Sequence, residues 1–480
     1  MAATKTHRPL TLTALILSMF MSAMEMTVVS TAMPTIVGDL GGIHLYSWVF
    51  TGYLLSSTVM VPIFGKLADL YGRKPILLLG MAVFLIGSIG CGLSNAMLPL
   101  VLFRAVQGIG AGAMQPIVMT VIGDIYTLEE RAKVQGAISG IWGFAGLVGP
   151  IVGSVIVEFL SWHWIFFINV PFGLAAIVLL VRYLHEEVEK REEPLDYLGA
   201  AVLSCAILLL LAATSGVLDA WALLPAAVLV ALFLVVEKRA AEPMLPLDLF
   251  TDKVIGLASA AGTLLGAAML ATTTYVPLFV QGVLGGSPAD AAGAITPMVL
   301  GWPLSSLIAG RLLPRFGFRP FVVLGMGLNA AAAVALALLL EPGLPVRVVG
   351  ALTFLFGLGM GFANPALIIA VQTAVDWKRR GVATASTMFF RTIGGTLAVG
   401  ALGGILVGAI GDVPGVPPGA ADELLGPAHG AQLPASLLRL LSAALASGLH
   451  TNFILIAAFA CLALAFGLLF PRDIRAAART

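Results

Sequence analysis

Glu25 stands in the stretch MEMTVVSTAMP, inside an otherwise apolar run over residues 11–34. A carboxyl in such surroundings can take up and release a proton, because burial favours its neutral form and a nearby cation favours its anion. Two arginines, Arg104 and Arg391, fall in comparable apolar runs. Ser18, Ser22, Val29 and Ala32 share a helical face with Glu25 at steps of three and four residues. That stripe is small and polar, and it suits the lining of a cavity. Two readings stay open for Glu25: a proton-exchanging group, or the partner of Arg104 in a pair that only fixes helix packing. Arg391 either contributes to a cavity or pairs with a backbone carbonyl. Met21, beside the stripe, offers a soft and adaptable wall. The histidines show no metal-ligand spacing, so no metal is expected. Cys91, Cys205 and Cys461 lie in apolar runs and read as buried small hydrophobes rather than disulfide partners.

The elements that must hold these residues are membrane helices. The chain is 59% hydrophobic and 11% charged, with a mean hydropathy of +1.02, far from the makeup of a soluble domain. Roughly 20 apolar residues cross a bilayer as a helix. Runs of that kind occur at 11–34, 46–67, 75–94, 97–122, 133–158, 164–184, 196–215, 219–236, 254–280, 289–312, 320–340, 345–374, 382–410 and 450–471. The first is too long for a cleaved signal peptide and is expected to be retained. Fourteen spans put both termini on one side. With the termini cytoplasmic, 22 of the 26 Lys and Arg residues fall inside and only Arg347 and Arg439 outside, as the positive-inside rule asks. A multi-pass protein of the cytoplasmic (inner) membrane is therefore expected. Net charge is +1, which suggests no nucleic-acid partner. The loop from Gly411 to Gly448 carries leucines at helical spacing over Pro434–Ser447. It reads equally as an interfacial helix or as a loosely ordered loop.

The chain repeats itself. Gly65–Pro75 reads GKLADLYGRKP and Gly310–Pro320 reads GRLLPRFGFRP, 245 residues later. Gly108–Pro116 reads GIGAGAMQP and Gly357–Pro365 reads GLGMGFANP, 249 residues later. The expected organisation is thus an N-terminal six-helix bundle over 1–185, two inserted helices with their linkers over 186–253, and a C-terminal six-helix bundle over 254–480. Duplicated bundles of this kind place a substrate site between repeats. Residues that the halves do not share are the better functional candidates. Glu25 corresponds to the neighbourhood of Ala268, and Arg104 to Thr353. A charge at the bilayer centre costs at least ~2.5–3.5 kcal/mol, so a functional return is expected. The amides Gln107, Gln115 and Asn364, with Met21, Ser22 and Arg391, are the candidate cavity residues.

These segments resemble the major facilitator superfamily, and within it the fourteen-helix drug/proton antiporters, over essentially the whole chain. GKLADLYGRKP is similar to the signature loop between helices two and three. The resemblance implies a cytoplasmic latch of Gly65, Asp69, Gly72, Arg73 and Lys74, with Arg73 pairing with Asp124. Pro314 stands where the second copy would need the acid, so the latch is expected to be one-sided. LFRAVQGIGAG resembles the helix-four motif whose arginine, here Arg104, is tied to proton transfer. GIWGFAGLVGPIVG resembles the exporter motif of helix five, with Gly140, Gly146, Gly149, Pro150 and Gly153. WHWIFFINVP resembles a signature of fourteen-helix exporters, with His163 where arginine is usual. The first-helix motif usually carries aspartate where this chain has Glu25.

The resemblance implies a transporter, not an enzyme. It would exchange an amphiphilic small molecule for protons, with Glu25 and Arg104 coupling the two and the proton gradient as the drive. No G-x-x-x-x-G-K loop is present, so no nucleotide and no other cofactor is expected. A second acid, usual in exporters of dications, is missing from the second half. Monovalent cations, zwitterions or neutral amphiphiles are the expected substrates, and a monomer the expected form. A dedicated metabolite exporter and a proton-coupled sugar or acid importer are the rival readings.

Overall fold

The computed structural model describes residues 6–126, 128–186, 197–214, 218, 220–240, 243, 245–341, 343–375, 380–411 and 434–472, and among these the chain is helical with no strand. Bilayer-length apolar runs leave the backbone no partner but itself, so each run closes its own hydrogen bonds as a helix. The helices are α1 (Arg8–Leu40), α2 (Tyr46–Tyr71), α3 (Arg73–Gly92), α4 (Met97–Ile125) and α5 (Leu128–Phe159). α6 runs over Trp164–Tyr183 with a break at Ile168. There follow α7 (Tyr197–Thr214), α8 (Leu223–Arg239), α9 (Lys253–Gly282) and α10 (Pro288–Phe316). The last four are α11 (Phe318–Leu339), α12 (Val346–Ala374), α13 (Arg380–Gly411) and α14 (Ala435–Leu468). Among the described residues, ten of these helices are long and apolar enough to cross a membrane, and Gly143–Phe159 and Leu198–Thr214 are shorter apolar segments. Each of the fourteen expected spans falls on one helix.

Local chemistry sets the ends. Asp252 caps α9 by accepting from the amides of Val254 and Ile255. Ser287 and Asp290 form a capping box at the start of α10, with proline at its first position. Gly72 and Gly317, 245 residues apart, both sit at positive φ, 96° and 76°. They make the same tight turn in the two copies of the signature loop, where a Cβ would be strained.

The chain separates into two compact units, Met1–Ala32 with Trp48–Ser204, and Met33–Ser47 with Cys205–Thr480. The sequence repeat recurs in them contact by contact. A Cβ on Gly108 would meet the carbonyl of Tyr53 at 2.3 Å, and one on Gly357 would meet that of Met298 at 2.0 Å. Gly112 lies against Ser57 as Gly361 lies against Trp302, and Gly110 against Gly80 as Gly359 against Gly325. Every one of these pairs keeps the offsets of 245 and 249 residues. The glycines therefore set how closely α4 packs on α2 and α3, and α12 on α10 and α11.

Three sequence expectations change. α14 begins at Ala435, so the leucine-rich stretch after Pro434 is neither a separate interfacial helix nor a loop. Its Leu441, Leu445 and Leu449 are buried within the last span. Residues 412–433 lie outside the described residues. Cys91 is buried, but Cys205 and Cys461 are exposed on the outer faces of their helices. A helix apolar all round does not announce which side faces its neighbours. Glu237, expected in a linker, closes α8 and is only 2% exposed, its carboxylate accepting from the amide of Leu245.

Alanine at Gly108 or Gly357 is expected to lower the melting temperature of the purified protein, by overpacking worth about 1–3 kcal/mol. Alanine at Gly327, in α11 where an added Cβ would meet nothing within 4 Å, should leave the melting temperature unchanged or raise it, by a stabilisation of up to about 1 kcal/mol. Equal effects at the three positions would refute the close-approach reading.

Candidate functional site

The charged residues of the first unit converge on one buried network. Glu25 is 2% exposed and Arg104 1%. An Arg104 Nη1 proton is donated to Glu25 Oε1 at 2.5 Å, and Nη1 also reaches Gln107 Oε1 at 2.8 Å. Arg104 Nε donates to the carbonyl of Val49 on α2 at 3.1 Å. The guanidinium carbon lies 4.3 Å from the centre of the Tyr53 ring, within cation–π range. The second carboxylate oxygen accepts from Asn169 Nδ2 on α6 at 2.6 Å. Asn169 and Gln107 both reach Ser88 Oγ on α3, at 3.0 and 3.2 Å, and that hydroxyl donates to the carbonyl of Phe166 at 2.9 Å. Five helices, α1, α2, α3, α4 and α6, meet at this knot.

The backbone brings them close enough because glycine stands where a side chain would block. A Cβ on Gly87 of α3 would come 2.4 Å from the amide nitrogen of Gln107. On α5, a Cβ on Gly149 would strike Thr27 Oγ1 at 2.0 Å, and one on Gly153 would strike Thr31 Oγ1 at 2.5 Å. Two glycines of the helix-five motif thus press α5 onto α1 at Thr27 and Thr31, within two turns of Glu25. Gly140 faces open space, and Gly146 and Pro150 are buried. The stripe on the Glu25 face is packed, not open: Ser18, Val29 and Ala32 are at 0% exposure and Ser22 is half-buried. Met21 belongs to the core at 1%.

In the second unit, Ala268 is buried where Glu25 has its counterpart. Thr353 Oγ1 donates to the carbonyl of Ala294 at 2.6 Å. This repeats the Arg104–Val49 bond at the same offsets, without the charge. Arg391 lies elsewhere, on α13, and its Nη1 donates to Asn364 Oδ1 on α12. A Cβ on Gly266 of α9 would sit 2.0 Å from the Arg391 carbonyl, so the absent side chain lets α13 close on α9 there. Gln115, the counterpart of Asn364, is half-buried in the first unit. Sequence reasoning offered Arg391 a cavity or a backbone carbonyl; its partner in the structure is a side-chain amide.

The signature loop binds its own unit. Glu186 accepts from the amides of Arg73 and Lys74, both at 2.8 Å, and so places an anion at the start of α3. Its carboxylate is also 3.8 Å from Arg73 Nη1. Lys74 Nζ donates to the carbonyls of Val181 and Leu184, at 2.9 and 2.6 Å, and so caps the end of α6. Arg319, 245 residues after Lys74, donates to the Leu468 carbonyl at the end of α14, at 2.8 Å. Both copies thus use this cation to tie a loop to a helix C-terminus. Gly65 is half-buried with open space beside it. The side chains of Asp69 and Asp124 lie outside the described residues, and with them the expected Arg73–Asp124 pair.

Sequence reasoning missed Ser88, Asn169, Tyr53 and Glu186. Asn169 carried a usable signal, since it is the lone amide in an apolar stretch, as Glu25 is the lone acid in its own.

Duplicated helical bundles related in this way are an architecture of secondary transporters. Residues 15–399 match the Major Facilitator Superfamily, and the chain belongs to that family. It is 38% identical to multidrug transporter protein MdtP of Bacillus subtilis over 84% of this chain and 76% of that protein. It is 34% identical to multidrug resistance protein 3 of the same organism, over 80% and 77%. The fold is similar to that of a bacterial homologue of the lysosomal transporter Spinster (TM-score 0.68, 16% identity, 96% of each chain). It is also similar to that of a D-xylose–proton symporter (TM-score 0.64, 14% identity, 97% of this chain and 98% of the other).

Removing one partner of a buried ion pair is costly because the other charge is stranded. Glu25→Gln and Arg104→Gln should each lower the unfolding midpoint. The double variant should lose less than their sum, by a coupling of about 1–3 kcal/mol. Strict additivity in that cycle would mean that the pair does not hold the fold.

Proposed function

We propose that the protein is a proton-coupled antiporter. It exports lipophilic or other amphiphilic small molecules across the cytoplasmic membrane by alternating access, with both termini cytoplasmic. The single observation that carries the reading is the Glu25–Arg104–Asn169 network, an ion pair built into one repeat and left out of the other. The names of the multidrug relatives support export of amphiphiles, and the glycine stripe pressing α5 onto the helix that bears Glu25 supports the antiporter resemblance.

In the conformation described, Glu25 is buried and both its oxygens are engaged. It exchanges no proton there. Coupling therefore requires a second conformation in which the Arg104 contact opens and water reaches the carboxyl. Arg104 keeps Val49 O, Gln107 and the Tyr53 face when Glu25 becomes neutral, so the protonated state does not strand the guanidinium. Each proton moved inward supplies ~2.3 kcal/mol per 100 mV of membrane potential. Gln107 belongs to this coupling group in our reading. Ser22, Gln115, Asn364 and Arg391 remain the candidates for substrate contact.

Proteoliposomes with an imposed pH gradient and a neutral lipophilic dye test the proposal. The wild type should move the dye against its gradient, in the direction opposite to the protons. Glu25→Gln should lose that uphill movement while still exchanging dye down its own gradient. Undiminished uphill transport by the variant would remove Glu25 from the coupling, and movement of dye and protons in one direction would favour the importer reading.

A further inference from the structure

Arg391, in an apolar run of the second unit, takes no part in the network above. Arg391 lines a water-sized cavity of ≈ 10 Å³ inside that unit with Asn364, Gly262, Leu265, Leu367 and Thr387. Asn364 Oδ1 holds one of its amino groups. Among the described residues no carboxylate lies within ion-pair distance of it, whereas the charge of Arg104 is met by Glu25. Arg391 is half-buried, so its charge is partly desolvated. The fork of five donors is only partly filled by one amide oxygen, which leaves the geometry that receives an anion side by side. Nothing in the first repeat matches it: positions 142–146, at the repeat offsets, read WGFAG. A cation placed in a helical membrane bundle without a fixed counter-ion is expensive, and an arriving anion relieves that expense.

We propose that Arg391, steadied by Asn364, is the anion-recognition point for the transported molecule, and that the substrates are amphiphilic acids or zwitterions bearing a carboxylate or a similar anionic group. This rests on the export reading but concerns binding alone, so the two can fail separately. It keeps the zwitterions of the sequence expectation, adds amphiphilic acids, and excludes simple lipophilic cations as preferred cargo. The Asn364 amide fixes one edge of the guanidinium, and Gly266 fixes the backbone that carries it.

The test is equilibrium binding by fluorescence to the purified full-length protein in neutral-lipid nanodiscs. Three probes share one fluorophore: a dansyl amino acid with a free carboxylate, its methyl ester, and a dansyl alkylamine. The acid should bind the wild type about tenfold or more tighter than the ester or the amine, the scale of a hydrogen bond to a charged group. Arg391→Gln should erase that preference while leaving ester binding unchanged, which also reports that the variant is folded. Arg391→Lys should retain part of it. No saturable binding of the acid, equal affinity for acid and ester, tighter binding of the amine, or a loss of acid and ester binding together in Arg391→Gln would overturn the proposal. Loss of acid binding only when phosphatidylglycerol is added would assign Arg391 to a lipid headgroup and would overturn it equally. The measurement is made at equilibrium with no pH gradient, so a failure of proton coupling leaves it intact.

Discussion

The Glu25–Arg104 contact is the interaction around which the first unit is arranged. Two full charges cannot be taken out of water at this depth unless they neutralise each other and their remaining lone pairs and protons find partners. That requirement explains the surroundings residue by residue. Asn169 fills the second carboxylate oxygen, Val49 O and Gln107 fill the guanidinium, and Ser88 ties the two amides together. Glycine at 87 and at 149 lets the helices come near enough for bonds of this length. A satisfied network of this kind rigidifies its bundle, and a half-satisfied one would be worse than an apolar core. The same completeness makes the site hard to open, so the proposed cycle needs a state in which protonation has weakened the central contact.

Comparing the repeats separates scaffold from chemistry. The backbone contacts of α4 on α2 recur in α12 on α10 with conserved offsets, and even the side-chain bond to Val49 O has its double in Thr353 to Ala294 O. What changes is the charge. The first unit spends an arginine there and balances it with Glu25; the second uses a hydroxyl, buries Ala268 opposite, and places its arginine at 391 beside an amide. One scaffold therefore carries two different electrostatic devices, one neutralised within the chain and one left positive.

Much of this was legible in the sequence because the relevant signals are coarse. Twenty-residue apolar runs located all fourteen helices, and the glycine spacing revealed the repeat before any contact was known. Glu25 and Arg104 stood out because a charge in an apolar run is rare. What stayed hidden depends on rotation and on distant partners. Hydropathy does not say which side of an apolar helix faces its bundle, so Cys205 and Cys461 were placed inward when they face outward. Asn169 lies 144 residues from the acid it holds, and no local pattern reports such a pairing. Glu237 was hidden for the opposite reason, because a charge beside Lys238 and Arg239 reads as a solvated helix end.

The two electrostatic devices fit one energetic scheme. A second acid is absent from the second unit among the expected cavity residues, which would be a handicap for expelling dications against an inside-negative potential. For an anionic cargo the sign reverses. A proton moving inward and an anion moving outward both carry positive charge in the same sense, so each adds ~2.3 kcal/mol per 100 mV to the drive. One titrating carboxyl then suffices to couple the exchange, since the potential already assists the exit of the cargo. An unneutralised arginine at the proposed binding point for such a cargo is consistent with that balance, and an unneutralised acid would oppose it. The asymmetry between Glu25 with Arg104 and the lone cation at 391 is thus what a single-proton exporter of acids would require of its charges.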